Sequence, residues 1–323
     1  MIVVTGGAGF IGSNLIHELN HAGETDILCV DNLRTNTAKF RNLEGAQFAD
    51  YMDKAGFRGA LQQGKFAKTP IRAILHQGAC SNTLEDDGAY MMDNNFTYSK
   101  ELLHFALDRA IPFVYASTAA VYGLCEDFAP EPRNERPLNV YGFSKLVFDN
   151  YVRPLLPTVK STVAGLRYFN VYGPREAHKG RMASVIHHFS RQLKEQGVIR
   201  MFQGTGGYGD GEQRRDFVYV RDLCRMNLFF AGLDRSGSAA AVYRGIYNAG
   251  TGNARSFNAV AAALQQVHGP GRVEYIPFPG DLAGRYQHFT EADVTSLRAA
   301  GYAAAFTALE EGVAATFAAA AEK

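Results

Sequence analysis

Met1-Ile2-Val3-Val4-Thr5-Gly6-Gly7-Ala8-Gly9-Phe10-Ile11-Gly12 is the stretch whose reading decides the fold. A short β-branched run passes directly into the spacing G-x-x-G-x-x-G, and a helical pattern follows. Glycine allows a tight turn, brings bare backbone against a pyrophosphate and lets helix and strand pack closely, while the helix N-terminus offers N–H groups to the anion. The context predicts strand, turn and helix, with Gly6, Gly9, Phe10, Ile11 and Gly12 holding a dinucleotide.

Working outward, β-branched and aromatic runs at 2–5, 27–30, 71–76, 113–117 and 162–167 alternate with helical patterns. That alternation argues for an α/β fold, a doubly wound parallel sheet of the Rossmann type with helices on both faces. A helix is expected over 141–151, ending near Pro154. After Asn170 the texture becomes rich in turns, with Tyr172-Gly173-Pro174 and the glycines of 204–209 beside a helical stretch at 183–194. The reading is a cofactor domain over 1–169, rejoined by segments near 216–232 and 246–266, and a second, smaller, discontinuous α/β substrate lobe within 170–323. Runs at 216–220 and 246–250 read as late strands returning to the core, and the Ala-rich 303–321 as a surface helix.

The 323 residues suffice for a large core, and 33 Lys plus Arg against 32 Asp plus Glu leave a net charge of +1. Nothing global favours nucleic acid or an anionic membrane. Four dispersed cysteines, Cys29, Cys80, Cys125 and Cys224, form no metal-ligand pattern, so no metal and reduced thiols are expected. Residues 1–5 lead straight into the glycine turn without a leader pattern, and no apolar stretch approaches the roughly 20 residues of a membrane span. The expectation is a cytoplasmic protein.

Asp31, 19 positions after Gly12, stands where an acid meets the adenosine ribose and favours NAD. Arg34, Lys39 and Arg41 follow and are suited to a 2′-phosphate, or are solvated loop charges. Gln77-Gly78-Ala79-Cys80-Ser81 is a small-residue turn after a strand, where a cofactor crosses the sheet; Asn94 and Asn95 read as pocket residues or helix caps. Tyr141 and Lys145, four apart, share a helical face. The neighbouring cation and an oxidised nicotinamide favour the phenolate, making Tyr141 a proton acceptor. Thr118, at the end of an upstream strand, is placed to orient the reacting oxygen.

These motifs, with R-Y-F-N-V-Y-G-P-R at 167–175 and R-D-F-V-Y-V-R-D at 215–222, resemble the extended short-chain dehydrogenase/reductases that act on nucleotide sugars. Within them the chain is most similar to the 6-epimerases of ADP-linked heptose, through A-D-Y-M-D-K at 49–54, Y-M-M-D-N-N at 90–95, Y-S-K-E-L-L-H at 98–104, P-L-N-V-Y-G at 137–142, H-K-G at 178–180 and Y-I-P-F-P at 275–279. The resemblance implies inversion at C6″ of ADP-D-glycero-D-manno-heptose through a transient ketone, in lipopolysaccharide inner-core precursor synthesis. Tyr141 and Lys179 are then the two acid/base groups. It implies NADP, with NAD left open, adds Asn32, Lys54, Val171 and Lys179 to the cofactor set, and favours the 2′-phosphate reading of Arg34 and Lys39 over their solvated alternative. It places Asn170, Arg181, His188, Phe202, Gln203, Gly204, Thr205, Arg215 and Tyr286, with Thr118, at the sugar nucleotide, and implies a homo-oligomer, a pentamer. Arg215 is suited to a diphosphate, or to pairing with Asp216 or Asp222. The chain departs from the family in Thr118, where serine is frequent, and in extra residues around 206–211. A nucleotide-sugar 4-epimerase is the nearest alternative and needs no second base; a dinucleotide sensor has no use for the proton relay. A dehydratase is disfavoured because Ala119-Ala120 occupy the positions of its Asp-Glu pair.

Overall fold

Apolar residues run unbroken through 2–4 and 27–30, as in strands covered on both faces, and all are buried. The computed structural model describes residues 1–234, 241–280, 284 and 286–321, without the side chains of 319–321. Strands β1 (Ile2–Thr5), β2 (Ile27–Asp31), β3 (Asp50–Asp53), β4 (Ala73–His76), β5 (Phe113–Thr118) and β6 (Val163–Tyr168) join a strand at Arg244–Ala249 in one seven-stranded sheet. From that last strand the order is β6-β5-β4-β1-β2-β3. β1 pairs in parallel with β2, Ile2 opposite Ile27, and with β4, Ile2 opposite Ala73. Chain order therefore reverses at β1, so the carboxyl ends of β1 and β4 form the crevice in which a doubly wound sheet binds ligands. Strand β3 was absent from the sequence reading because Asp50-Tyr51-Met52-Asp53 is a largely polar edge with no buried residue.

Helices α1 (Phe10–His21), α2 (Lys54–Gln62), α3 (Gly88–Met92), α4 (Tyr98–Asp108) and α5 (Val140–Val152) connect these strands. Asn139 starts α5 by accepting from Gly142 N at 2.8 Å, one residue before the expected start.

The chain divides into two compact units: Met1–Val121, Asn139–Arg167 and Cys224–Tyr247 form one, and Tyr122–Leu138, Tyr168–Leu223 and Asn248–Lys323 the other. This partition differs from the sequence reading at 122–138, 168–169, 216–223 and 248–266, which fall in the second unit, and at 233–234 and 241–245, which fall in the first. There β7 (Asn170–Tyr172) precedes α6 (Val185–Gln196), β8 (Val198–Phe202), β9 (Arg214–Arg215), β10 (Phe217–Tyr219) and α7 (Val220–Phe230). β11 (Arg244–Ala249) is the seventh strand of the main sheet, followed by β12 (Arg255–Ser256), α8 (Phe257–His268), β13 (Arg272–Ile276), α9 (Thr295–Ala299) and α10 (Leu309–Ala321). The run at 216–220 does not rejoin the main sheet: β10 pairs with β7 instead, as β8 pairs with β13 and β9 with β12. The Ala-rich end is helical only from Leu309; just before it, Thr307 donates from N and Oγ1 to the Asp222 carboxylate at 2.7 and 3.0 Å. Nor is that helix wholly on the surface, since Leu309, Val313 and Thr316 are buried. Among the described residues no helix is long and apolar enough to cross a membrane.

Candidate active site

The glycine turn is closed to side chains. Gly6 has φ +66°, and a Cβ there would stand 2.8 Å from Gly78 N; a Cβ on Gly12 would collide with the Gly6 carbonyl. Helix α1 begins at Phe10 with no capping side chain and no acid in its first turn, which suits an anion. A dinucleotide fits this cradle. At the end of β2, Asp31 does not face it as a bare acid: Oδ2 accepts from Ala8 N at 2.8 Å, and Oδ1 from Asn32 N at 2.6 Å and Lys39 Nζ at 2.5 Å. Arg34 instead approaches Asp53 at 3.7 Å and is largely exposed, and Arg41 lies over Phe40. Lys54 Nζ donates to Asn94 Oδ1 at 2.6 Å, and burial lowers its pKa. Gln77 Nε2 donates to Asn227 at 3.0 Å, and the turn continues through half-buried Gly78, Ala79 and Cys80 to exposed Ser81.

In the same unit, Tyr141 and Lys145 project from α5, and the Thr118 hydroxyl at the end of β5 hydrogen-bonds the Tyr141 phenol. Lys145 is buried and donates from Nζ to Ala116 O at 2.7 Å; burial pushes it down to about 8. Burial raises the Tyr141 phenol, and the Thr118 bond only partly offsets this. The sequence points to two sources of positive charge for the phenolate, the neighbouring lysine and an oxidised nicotinamide. In the folded unit desolvation outweighs the local bonds, so the lysine alone does not bring the phenol down and the second charge is needed.

Asn94 and Asn95 are not helix caps. They lie in a π-helical turn, Asp93–Thr97, between α3 and α4, while Asp87 caps α3 through Tyr90 N at 2.9 Å. Asn95 Oδ1 accepts from Cys80 N at 2.8 Å, and Nδ2 donates to Cys80 O and Ser144 Oγ, each at 3.0 Å. Ser144 Oγ in turn donates to Tyr141 O at 2.7 Å, so the 77–81 turn is tied to the tyrosine's own helix. Beneath it, His76 Nδ1 meets Thr5 Oγ1 at 2.7 Å and Nε2 meets Ser99 Oγ at 2.9 Å. Ser99 Oγ donates to Asn95 O at 2.6 Å, so it accepts from Nε2–H, and burial holds the ring neutral by depressing its pKa well below the usual range.

In the second unit, Lys179 sits half-buried in a 3₁₀ turn, Ala177–Met182, and burial lowers its pKa. The preceding Glu176 is buried and gathers the ends of this loop, accepting from Gly173 N at 3.3 Å, Ser184 N at 2.5 Å and Ser184 Oγ at 2.8 Å. Val171 and Asn170 lie on β7, Arg181 is exposed on the turn, and His188 packs edge-on to His187 on α6. A pocket of about 260 Å³ opens among Val185, Phe189, Met201, Phe202, Phe257 and Tyr286. The guanidinium of buried Arg215 lies 4.9 Å from the Tyr286 ring centre and 5.6 Å from that of Phe257. Its suggested pairing with Asp216 does not form, because Asp216 accepts from Thr251 N and Oγ1, Gly252 N and Ala292 N. Gln203, Gly204 and Thr205 lead into the extra loop, where Tyr208 stacks on His288 and Gly206, at φ +63°, lies against the same ring. Among the pocket residues, Val185, Phe189, Met201 and Phe257 escaped the sequence reading; the apolar pair Val185 and Phe189, four apart on α6, was the available signal.

The sequence pattern of the NAD dependent epimerase/dehydratase family matches residues 2–250. The chain is 56% identical over 313 residues to the ADP-L-glycero-D-manno-heptose-6-epimerase of Alkalilimnicola ehrlichii, covering 97% of this chain and 95% of that one. Its fold is similar to the crystal structure of the Helicobacter pylori ADP-L-glycero-D-manno-heptose-6-epimerase, with TM-score 0.84, 30% identity and coverage of 98% and 95%. It also resembles the Thermus thermophilus UDP-glucose 4-epimerase in complex with NAD, with TM-score 0.74, 27% identity and coverage of 98% and 97%. With a glycine cradle at the carboxyl end of β1, a Tyr-Lys pair on α5 and a family match over most of its length, the chain belongs to the NAD dependent epimerase/dehydratase family.

Proposed function

We infer that this chain is an ADP-glyceromanno-heptose 6-epimerase, interconverting the D-glycero and L-glycero forms by inversion at C6″. The observation that carries this reading is the close likeness to the Alkalilimnicola enzyme, which runs through both units and so includes the loop of Lys179 as well as the Tyr141–Lys145 pair.

A bound nicotinamide dinucleotide supplies a hydride acceptor and then a hydride donor, so a carbinol carbon becomes planar and is rebuilt without net redox change. Tyr141 takes the hydroxyl proton as the ketone forms, with Thr118 orienting the reacting oxygen and Lys145 contributing positive charge. Lys179, made less basic by burial, exchanges the proton when the oxygen stands in the other orientation. Arg215 offers its fork to the diphosphate, and the largely apolar pocket beside Tyr286 accommodates a flat ring. Gly6, Gly9, Phe10, Ile11 and Gly12 hold the dinucleotide, with Asn32, Gln77 to Ser81, Asn94 and Val171 contributing to its pocket. NADP is the form proposed: Lys39 neutralises Asp31, removing the repulsion a 2′-phosphate would meet, and Lys54 adds a second cation. The proposed setting is a cytoplasmic homo-oligomer, for which sedimentation analysis gives the subunit number.

Incubation of the purified protein with ADP-heptose, UDP-galactose and dTDP-glucose, followed by proton NMR, tests the substrate. Inversion of ADP-heptose is the expected result; turnover of UDP-galactose alone would assign the chain to the 4-epimerases, and inertness toward all three would favour a sensor. Lys179→Met is expected to lower kcat by at least about a hundredfold, the usual scale of general acid/base catalysis. Wild-type epimerisation by that variant would remove Lys179 from the mechanism.

A further inference from the structure

One turn beyond Lys145 on the same face of α5 stands Asp149, fully buried. Tyr115 and Ser117, alternate residues of β5, donate to its Oδ1 and Oδ2 at 3.0 and 2.9 Å. Arg167 of β6, itself without solvent exposure, donates to Oδ2 from Nε at 3.1 Å and from Nη2 at 2.9 Å. One carboxylate therefore gathers the helix of Tyr141 and Lys145, the strand that ends in Thr118, and the strand beside it. The Lys145 ammonium donates to the carbonyl of Ala116, the residue between Tyr115 and Ser117, so it is anchored to the same short piece of β5.

The charge arrangement has a direction. Within this unit, Asp149 on α5, His76 on β4 and Cys80 in the following turn interact with Lys145 by charge, while Tyr141 shares its helix and Tyr115 of β5 and Arg167 of β6 bind Asp149. Burial keeps His76 neutral and Tyr115 protonated. Asp149 exerts the largest charge interaction felt at Lys145, and it is attractive. Arg167 is bound to Asp149 from β6, so the attraction Lys145 feels comes from the negative end of a buried ion pair.

We propose that Asp149, clamped by Arg167, Tyr115 and Ser117, is the positioning residue of the Tyr141–Lys145 pair: it locks α5 against β5 and β6 and supplies the negative charge that stabilises the buried Lys145 ammonium. Its bearing on catalysis rests on the role proposed for Lys145 above, but the charge relation does not depend on any substrate.

The test follows the carbon-13 shift of the Lys145 Cε in full-length, lysine-labelled protein as pH is raised, with the resonance assigned by its loss in Lys145→Met. Asp149→Asn is expected to lower the Lys145 midpoint by about one pH unit or more. The neutral double variant Asp149→Asn/Arg167→Met is expected to fall between that value and wild type, and it keeps the test available if the single variant does not fold. Ser117→Ala loosens the clamp without changing charge; it is expected to lower thermal stability and leave the midpoint within about a few tenths of a unit. The alkaline limb of kcat/KM for ADP-heptose should move with the midpoint. A midpoint that stays in place in the double variant, or that falls as far in Ser117→Ala, overturns the proposal. A midpoint that moves while the alkaline limb does not would uphold it and overturn instead the catalytic role of Lys145.

Discussion

At the scale of the residue, Lys39 changes what Asp31 means. An acid at the end of the second strand reads as a ribose acceptor that excludes a 2′-phosphate, yet here its Oδ1 is bound to an ammonium at 2.5 Å. Lys39→Ala leaves that carboxylate uncompensated. The expected outcome is a loss of NADP affinity of about tenfold, or about 1.4 kcal/mol, with a smaller loss for NAD; fluorescence titration with both cofactors measures the ratio, and equal losses would remove Lys39 from the discrimination. Arg215 makes a second prediction, because its flat guanidinium lies beside Tyr286 and Phe257 in a way an ammonium does not reproduce. Arg215→Lys should raise KM for the sugar nucleotide by about tenfold or more with a smaller change in kcat. The Tyr141–Lys145 spacing was legible in the sequence because both residues sit on one helix. The partners that hold them were not: Tyr115 meets Asp149 across 34 residues and His76 meets Ser99 across 23, and only strand pairing and helix docking bring them together.

At the scale of the element, the glycine turn, α1 and the buried parallel strands were legible because each carries a local pattern: unbroken apolar runs, a glycine spacing, a helical period. Elements with no such pattern were missed. β3 is a polar edge, and the π-helical turn at Asp93–Thr97 resembles ordinary helix in sequence while its extra residue places Asn95 between Cys80 and Ser144. The run at 217–219 carries the signal of a strand but not of its partner, which is why its pairing with β7 rather than the main sheet was not foreseen. The turn itself supplies a prediction. A methyl group on Gly12 collides with the Gly6 carbonyl, and neither end of that contact is a movable side chain. Gly12→Ala is therefore expected to cost about 1–3 kcal/mol of stability by overpacking and to abolish dinucleotide binding. Denaturant titration and cofactor titration check the two effects separately, and retention of wild-type cofactor affinity would show that the turn is not the cradle.

At the scale of the whole molecule, the shifts of its buried groups separate the pH dependence of folding from that of catalysis. Lys145 is lowered from the ordinary lysine value of 10.5 to about 8. Between those values the unfolded chain binds a proton the folded chain does not, so this lysine makes stability rise with pH across that window. On the acid side, His76, His187 and His268 are all depressed by burial, so stability falls as pH drops through the ordinary histidine value of 6.5. On the alkaline side, Cys29 and Tyr51 are raised to about 12, and the stability they contribute is present below their ordinary values of 9.0 and 10.0 and is lost as pH rises toward 12. On these groups stability rises from about pH 8 to 9, where the Lys145 gain is unopposed, levels off between about pH 9 and 10 as Cys29 begins to offset it, and falls beyond. Catalysis should decline sooner, because the ammonium that Lys145 presents near Tyr141 is given up as pH rises through about 8. The expected outcome is a kcat/KM profile that falls above about pH 8 while the melting temperature, measured in the same buffers, holds or rises through the next pH unit. Parallel declines in rate and melting temperature would assign the alkaline loss to unfolding and leave Lys145 without that role.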